Sequence, residues 1–278
     1  MSIDTVFHDK ICVVTGAASG IGRATAIRLA KAGAVLAISD INEDDLQETA
    51  KLAGLEKSNR VLIDRLDVAD GDAIAAYADH VKTSLGDTDY VFNIAGLTRL
   101  GRFDQTPLSS VEKIMDVNFW GVVRMCKAFL PQVKATQGGF TNISSIFGIV
   151  GYAGQAHYCA SKFAVRGFSE TLAQELKQDG VFVGSVHPGG VATNVARNAE
   201  VDALPDTGQS RDELADDFDE LAITSPEKAA KIILNGTAKR KRRIIVGRDA
   251  RLVQFIQRLF PVAYPNVLAK LSFGKLEV

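Results

Sequence analysis

Tyr158 and Lys162 stand four residues apart in the run Tyr158-Cys159-Ala160-Ser161-Lys162. On a helix that spacing puts both side chains on one face, a turn apart. An ammonium beside a phenol favours the phenolate and lowers the tyrosine pKa from its reference of about 10. Such a pair would give and take a proton near neutral pH. Asn118 and Ser145 precede it and add an amide and a hydroxyl. Nearer the N-terminus, Thr15-Gly16-Ala17-Ala18-Ser19-Gly20-Ile21-Gly22 follows the apolar run Ile11-Cys12-Val13-Val14. A glycine loop between a strand and a helix suits a dinucleotide. Together the two signals point to hydride transfer.

The loop divides its tasks by position. Gly16 permits a tight turn, Gly20 lets backbone approach a pyrophosphate, and Gly22 lets the helix pack near the sheet. Ser19 and Ile21 open that helix, whose free N–H groups attract phosphate. Asp40 ends the next apolar run, where a carboxylate accepts hydrogen bonds from adenosine ribose hydroxyls and repels a 2′-phosphate. Ile41 follows it, with no arginine in the loop or just after Asp40, so NAD is favoured over NADP. Asp67 and Val68 end a third run and would meet adenine. Asn93, Ala95 and Gly96 end a fourth, with small residues that leave room for cofactor.

The elements that must carry these residues follow from periodicity. Short apolar runs at Ile11–Thr15, 34–39, 61–66, 90–94, 140–144, 181–186 and Arg243–Val246 read as buried strands. Helical windows lie between them at 21–32, 43–53, 70–85, 108–134, 156–178 and Pro226–Ala238. Buried strands alternating with helices predict βαβ units and a doubly wound parallel sheet of the Rossmann type. With no internal repeat and no Gly/Ser linker, 1–278 reads as one domain with a C-terminal helical extension at about 247–278.

Composition narrows the class. The 278 residues are 46% hydrophobic, enough for a substantial core, and 32 basic residues balance 33 acidic ones. That balance argues against a nucleic-acid partner. Cys12, Cys126 and Cys159 have no metal-ligand spacing, no His/Cys/carboxylate cluster suggests a metal, and packing in a reducing compartment explains the thiols. The first ten residues have no apolar leader core, and no stretch reaches the roughly 20 apolar residues of a membrane span. A cytoplasmic location is expected.

These residues together resemble the short-chain dehydrogenase/reductase family, in its common single-domain subgroup. The resemblance rests on the loop at 15–22, Asp67, the Asn-x-Ala-Gly run at Asn93, Asn118, Asn142-Ile143-Ser144-Ser145, the Tyr158/Lys162 pair, and Pro188-Gly189 with Thr193. It spans about residues 10–195. Ile94 departs from it, standing where the family often has a second asparagine. The resemblance implies that Tyr158 is the general acid/base and that Lys162 binds the nicotinamide ribose and holds the tyrosine pKa down. It implies that Ser145 orients the substrate oxygen and that Asn118 holds a water linking Lys162 to solvent. Thr193 and the backbone at Val191 would bind the nicotinamide carboxamide, with Pro188-Gly189 behind the ring. It further implies a homodimer or homotetramer paired through the helices at 108–134 and 156–178.

His157, on a helix, points about 100° from Tyr158 and reads as structural or substrate-lining. His187 reads as a hydrogen-bonded strand-end histidine. On the substrate side, Leu97, the segment from Gly148 to Ala153 with Tyr152, and Val195 would line an apolar pocket, although Arg99 and Arg102 are close in sequence. A hydrophobic secondary alcohol or ketone is the expected substrate. Two alternatives stay open: an NADPH-dependent 3-ketoacyl thioester reductase, against which Asp40 argues, and a non-catalytic NAD sensor, against which the complete Asn118-Ser145-Tyr158-Lys162 set argues. The acidic segment 194–224 follows the last βα strand and would cover a substrate as a lid. The tail joins a basic cluster at 239–243 to Phe255, Leu259, Phe260, Val262, Tyr264 and Leu268. It reads either as a helix packed on protein or as a peripheral membrane contact in which the basic cluster meets anionic lipid.

Overall fold

The computed structural model describes residues 2–55, 60–193, 200–202 and 222–270. Its strands are β1 (Ile11–Thr15), β2 (Val35–Asp40), β3 (Val61–Arg65), β4 (Tyr90–Asn93), β5 (Arg99–Leu100), β6 (Gly139–Ile143), β7 (Phe182–Pro188), β8 (Glu200–Val201) and β9 (Arg243–Val246). Seven form one sheet in the order β3-β2-β1-β4-β6-β7-β9, and every pairing in it is parallel. The order reverses between β1 and β4, so a cleft opens at the C-terminal ends of those strands, where ligands of such sheets bind.

Helices cover both faces. They are α1 (Ile3–Phe7), α2 (Gly20–Lys31), α3 (Glu43–Leu52), α4 (Gly71–Leu85), α5 (Leu108–Met115), α6 (Gly121–Thr136), α7 (Ala156–Glu175), α8 (Pro226–Ala238), α9 (Arg248–Leu259) and α10 (Tyr264–Lys270). The two-residue period of β1 separates two cores. Cys12 and Val14 pack with Leu29, Leu46 and Ile233 on one face. Val13 packs with Ile74, Phe129 and Val165 on the other. All three cysteines are free and buried, as packing residues should be. No described helix is long and apolar enough to cross a membrane.

The expected strands are present with ends moved by at most two residues. Three features depart from the sequence reading. The helix expected over 108–134 is interrupted by a π-turn at Asp116–Trp120. Such insertions are frequent at functional sites because they re-aim one side chain, and here the turn holds fully buried Asn118. A second, two-stranded sheet pairs β5 with β8, bringing chain that follows β7 back beside the segment that follows β4. The tail also divides differently. Residues 239–242 precede β9, at the far end of the sheet from the cleft, where Arg240 donates to the carbonyls of Gly180 (2.8 Å) and Gln137 (2.7 Å). Arg243 pairs with Glu170. The basic cluster and the apolar tail therefore sit at opposite ends of β9. Of the segment 194–224 proposed as a lid, the described residues are 200–202 and 222–224; the rest, including Val195, lies outside the described residues.

Candidate active site

Tyr158 and Lys162 occupy the first two turns of α7. The Lys162 Nζ lies 5.6 Å from the Tyr158 ring centroid and donates to the carbonyl of Ile143 at 3.1 Å. Only 3% of Lys162 is exposed, and burial lowers its pKa to about 8. Burial pushes the Tyr158 phenol up to about 12, with hydrogen bonding to Ser145 pulling back down. The sequence-based expectation of a lowered phenol pKa is thus outweighed by desolvation, which disfavours the phenolate more than the neighbouring hydroxyl favours it. As built, the pair is a phenol and an ammonium around pH 7.

Ser145 caps the short 3₁₀ turn Ile146–Gly148 and accepts from the Phe147 N–H at 3.1 Å. That leaves its own proton to donate. Its position is fixed from behind by His187, whose Nδ1 meets the Ser145 carbonyl at 2.9 Å while Nε2 meets the Ser185 hydroxyl at 3.0 Å. A carbonyl only accepts, so Nδ1 carries the proton and Nε2 accepts from Ser185. Burial lowers the His187 pKa to about 4 and keeps the ring neutral. His187 is structural, as its strand-end position suggested. His157 is also turned inward, with Nε2 3.1 Å from the Arg99 carbonyl.

Asn118 is committed to the backbone. Its Oδ1 accepts from the Leu97 N–H and its Nδ2 donates to the Leu97 carbonyl, both at 2.9 Å, with a further bond to the Ser161 hydroxyl at 3.1 Å. It clamps the strand-end loop that faces Lys162. A Cβ on Gly96 would stand 3.0 Å from Asn118 Oδ1 and 3.3 Å from Lys162 Nζ, so only a glycine leaves room for the loop to pack this closely against both side chains.

The glycine loop forms a cradle at the end of β1. Gly16 has φ +67°, and a Cβ there would strike Ala95 at 2.7 Å; a Cβ on Gly22 would meet the Gly16 carbonyl at 1.9 Å. Thr15 joins this loop to the next by accepting from the N–H groups of Ile94 and Ala95 at 3.0 and 3.1 Å. Ser19 occupies the N-cap of α2 without making a side-chain cap, which leaves first-turn N–H groups to bind an anion. Asp40 accepts from the Ala18 N–H at 3.0 Å, placing a carboxylate against the loop. The N-cap of α3 is Asn42 instead. Asp67 is exposed and turns the chain by accepting from Ala69 at 2.9 Å, with Val68 buried beside it. Asn93 ends β4, and its side chain donates inward to Asn142 at 2.8 Å. From β7, Pro188 leads to Gly189, Val191 and Thr193, and the Thr193 methyl lies 3.0 Å from where a Cβ on Gly20 would be.

The opposite wall is apolar. Phe147 stacks on Tyr152 at 5.2 Å and meets Tyr158 edge-on at 6.3 Å. Ile146, Ile149 and Val150 pack beneath them with Ala250 and Val253. Leu97 is half-buried beside Gly96. Arg99, in contrast, is bound by Asp202 through a 2.7 Å contact, and Arg102 by Asp104 at 3.2 Å.

Sequence reasoning missed the groups that act through backbone. The Ile143 carbonyl, the Thr15 hydroxyl and the Asp249 carboxylate, which accepts from the Gly190 N–H at 2.7 Å, leave no spacing signature. Asp249 shows why. It reaches Gly190 only because Gly189 and Gly247 have no Cβ, each of which would stand within 2.2 Å of it.

The comparisons with known proteins agree with this arrangement. Residues 10–203 match the family model described as short chain dehydrogenase. The chain is 45% identical to the putative oxidoreductase SadH of Mycobacterium tuberculosis over 267 residues, covering 95% of each. It is 39% identical to epidermal retinol dehydrogenase 2 of Homo sapiens over 176 residues, 62% of this chain and 57% of that protein. A short-chain dehydrogenase structure from Streptomyces avermitilis superposes with a TM-score of 0.79 at 29% identity, covering 96% of this chain and 99% of that one. A structure from Burkholderia phymatum in complex with NAD superposes with a TM-score of 0.81 at 24% identity over 92% and 95%. The chain that brings Ser145, Tyr158 and Lys162 to one strand-end cleft belongs to the short-chain dehydrogenase/reductase family and is an oxidoreductase.

Proposed function

We propose that this oxidoreductase interconverts an apolar secondary alcohol and its ketone with NAD(H), using Tyr158 as the general acid/base. The observation that carries the reading is the convergence of Tyr158, Lys162 and the proton-donating Ser145 hydroxyl beneath an apolar wall. A bound nicotinamide cofactor supplies the hydride step. Tyr158 gives its proton to the carbonyl oxygen in reduction and takes it back in oxidation. Ser145 donates to the same oxygen and stabilises developing charge. Lys162, held by Ile143, supplies positive potential that favours the phenolate when it forms.

The residues present fit such a cofactor. Gly16, Ser19, Gly20, Ile21 and Gly22 would hold the pyrophosphate, Asp40 the adenosine ribose, and Asp67 and Val68 the adenine. Ala95, Gly96 and the backbone of Asn93 would border the ribose near Lys162, with Pro188, Gly189, Val191 and Thr193 at the nicotinamide. The Asp40 carboxylate favours NAD. An apolar substrate is supported by the engagement of Arg99 and Arg102 with carboxylates. The name of the human relative, a retinol dehydrogenase, points to an apolar alcohol as well. Exposed Trp120 and Phe163 on the helices expected to pair suit a homodimer or homotetramer, and the buried free thiols suit a cytoplasmic location.

The test is initial-rate turnover of apolar alcohols and ketones with each nucleotide. Tyr158→Phe should lower kcat by about 10²-fold or more, with NAD binding retained. Asp40→Ala should raise kcat/KM for NADP, helped by Arg65, its register neighbour on β3. Binding of NAD without turnover across the panel would instead support a sensor. Preference for NADPH and 3-ketoacyl thioesters would support the thioester reductase.

A further inference from the structure

Helix α9 is apolar on two sides. Ala250, Val253 and Ile256 face inward and are buried, the first two against Ile146, Ile149 and Val150. A second stripe faces out: Leu252, Phe255 (60% exposed) and Leu259 (55% exposed), continued by Phe260 and Val262. The charges on this outward face are Arg248, Arg251 and Arg258, all exposed; none makes an ion pair among the described residues. Asp249, in the first turn, is directed inward to Gly190. From 250 to 270 the chain contains no acidic residue at all. At 1.5 Å per residue the twelve-residue helix offers a face about 18 Å long.

We propose that this outward face of α9 rests on an anionic lipid surface, with Leu252, Phe255 and Leu259 in the headgroup boundary and Arg248, Arg251 and Arg258 on lipid phosphates. Phenylalanine and leucine flanked by arginine on one helix face is the pattern of an interfacial helix. Cationic side chains beside it complement the negative potential of anionic lipid. A second copy of the chain fits the face less well. A two-fold contact would set arginine against arginine, with no acidic residue in this stretch to answer them. The assignment replaces the residues named from sequence: the cluster at 239–243 lies at the other end of β9, and its Arg240 and Arg243 are engaged internally.

The position of the face gives it a use. Tyr264, just beyond α9, accepts from the Gly151 N–H at 2.8 Å, so the tail is fastened to the segment joining Ser145 to Tyr158. A docked molecule would hold the apolar wall of its cleft close to the bilayer, where an apolar alcohol partitions. This last step rests on the substrate reading above; the docking does not.

Flotation of the purified full chain with phosphatidylcholine vesicles, with and without roughly a third phosphatidylglycerol, tests the proposal. We expect binding to the anionic vesicles alone and its loss at about 0.5 M salt. Phe255→Ser with Leu259→Ser, and separately Arg251→Gln with Arg258→Gln, should each reduce the bound fraction about tenfold. Thermal unfolding and the elution volume on gel filtration should stay unchanged. No binding to anionic vesicles, binding indifferent to both variant pairs, or a change of oligomeric state in place of lost vesicle binding would each overturn it. The readout needs no substrate, so its failure leaves the enzymatic reading intact, and failure of turnover leaves the docking intact.

Discussion

Tyr158 and Lys162 are tuned in opposite directions by the same cause. Desolvation lifts the phenol to about 12 and lowers the ammonium to about 8. Proton donation is therefore available throughout the neutral range, while positive charge at Lys162 fades above pH 8. The rate of ketone reduction should be flat from pH 6 to about 8 and fall above it. Alcohol oxidation, which needs the phenolate, should climb with pH over the same range. Lys162→Met should remove the bend near pH 8 and lower both rates; pH–rate profiles in the two directions check this. The same shift acts on folding. Between about 8 and the ordinary lysine value of 10.5 the native state binds fewer protons than the unfolded chain, so this lysine's contribution to stability rises with pH.

Among the elements, the strands and the helix carrying Tyr158 were legible because apolar runs and fixed spacing encode them directly. The glycine loop was legible because its backbone demands leave particular residue types behind. What escaped was structure made by inserted or distant residues. The π-turn that aims Asn118 inward has the composition of the helix around it. The β5–β8 pairing joins two-residue strands about a hundred positions apart, and neither run has a strand period to read. The inward turn of Asn93 depends on Asn142 from a neighbouring strand. Asp249 is the most consequential of these contacts, since it ties the start of α9 to the turn after β7. Asp249→Ala leaves the Gly190 N–H without its partner. We expect KM for the nucleotide to rise several-fold with a smaller change in kcat, and loss of about 1–3 kcal/mol of stability; steady-state kinetics and urea unfolding together separate the two.

For the whole molecule, the parallel sheet supplies the rigid part and the crossing near the cleft supplies the rest. Arg99 and Asp202 form an ion pair in which Asp202 is only 3% exposed, and Ser110 adds a 2.8 Å hydrogen bond to the same carboxylate. Asn118, Ser145, Tyr158, Lys162 and Thr193 all lie in the chain between those two residues, whereas the glycine loop and Asp40 precede them. The β5–β8 crossing thus closes a stretch of chain that carries the proton-handling residues together with β6 and β7 of the main sheet. It is held by this ion pair, the Ser110 bond and the Asp202 N–H donating to the Leu100 carbonyl at 2.8 Å. Removing one charge of this pair loosens the crossing, at a cost of about 1–3 kcal/mol. In Asp202→Asn the β5–β8 crossing should open locally before the main sheet does. Catalysis should then disappear at lower urea than the helical signal, while in the parent chain the two are lost together.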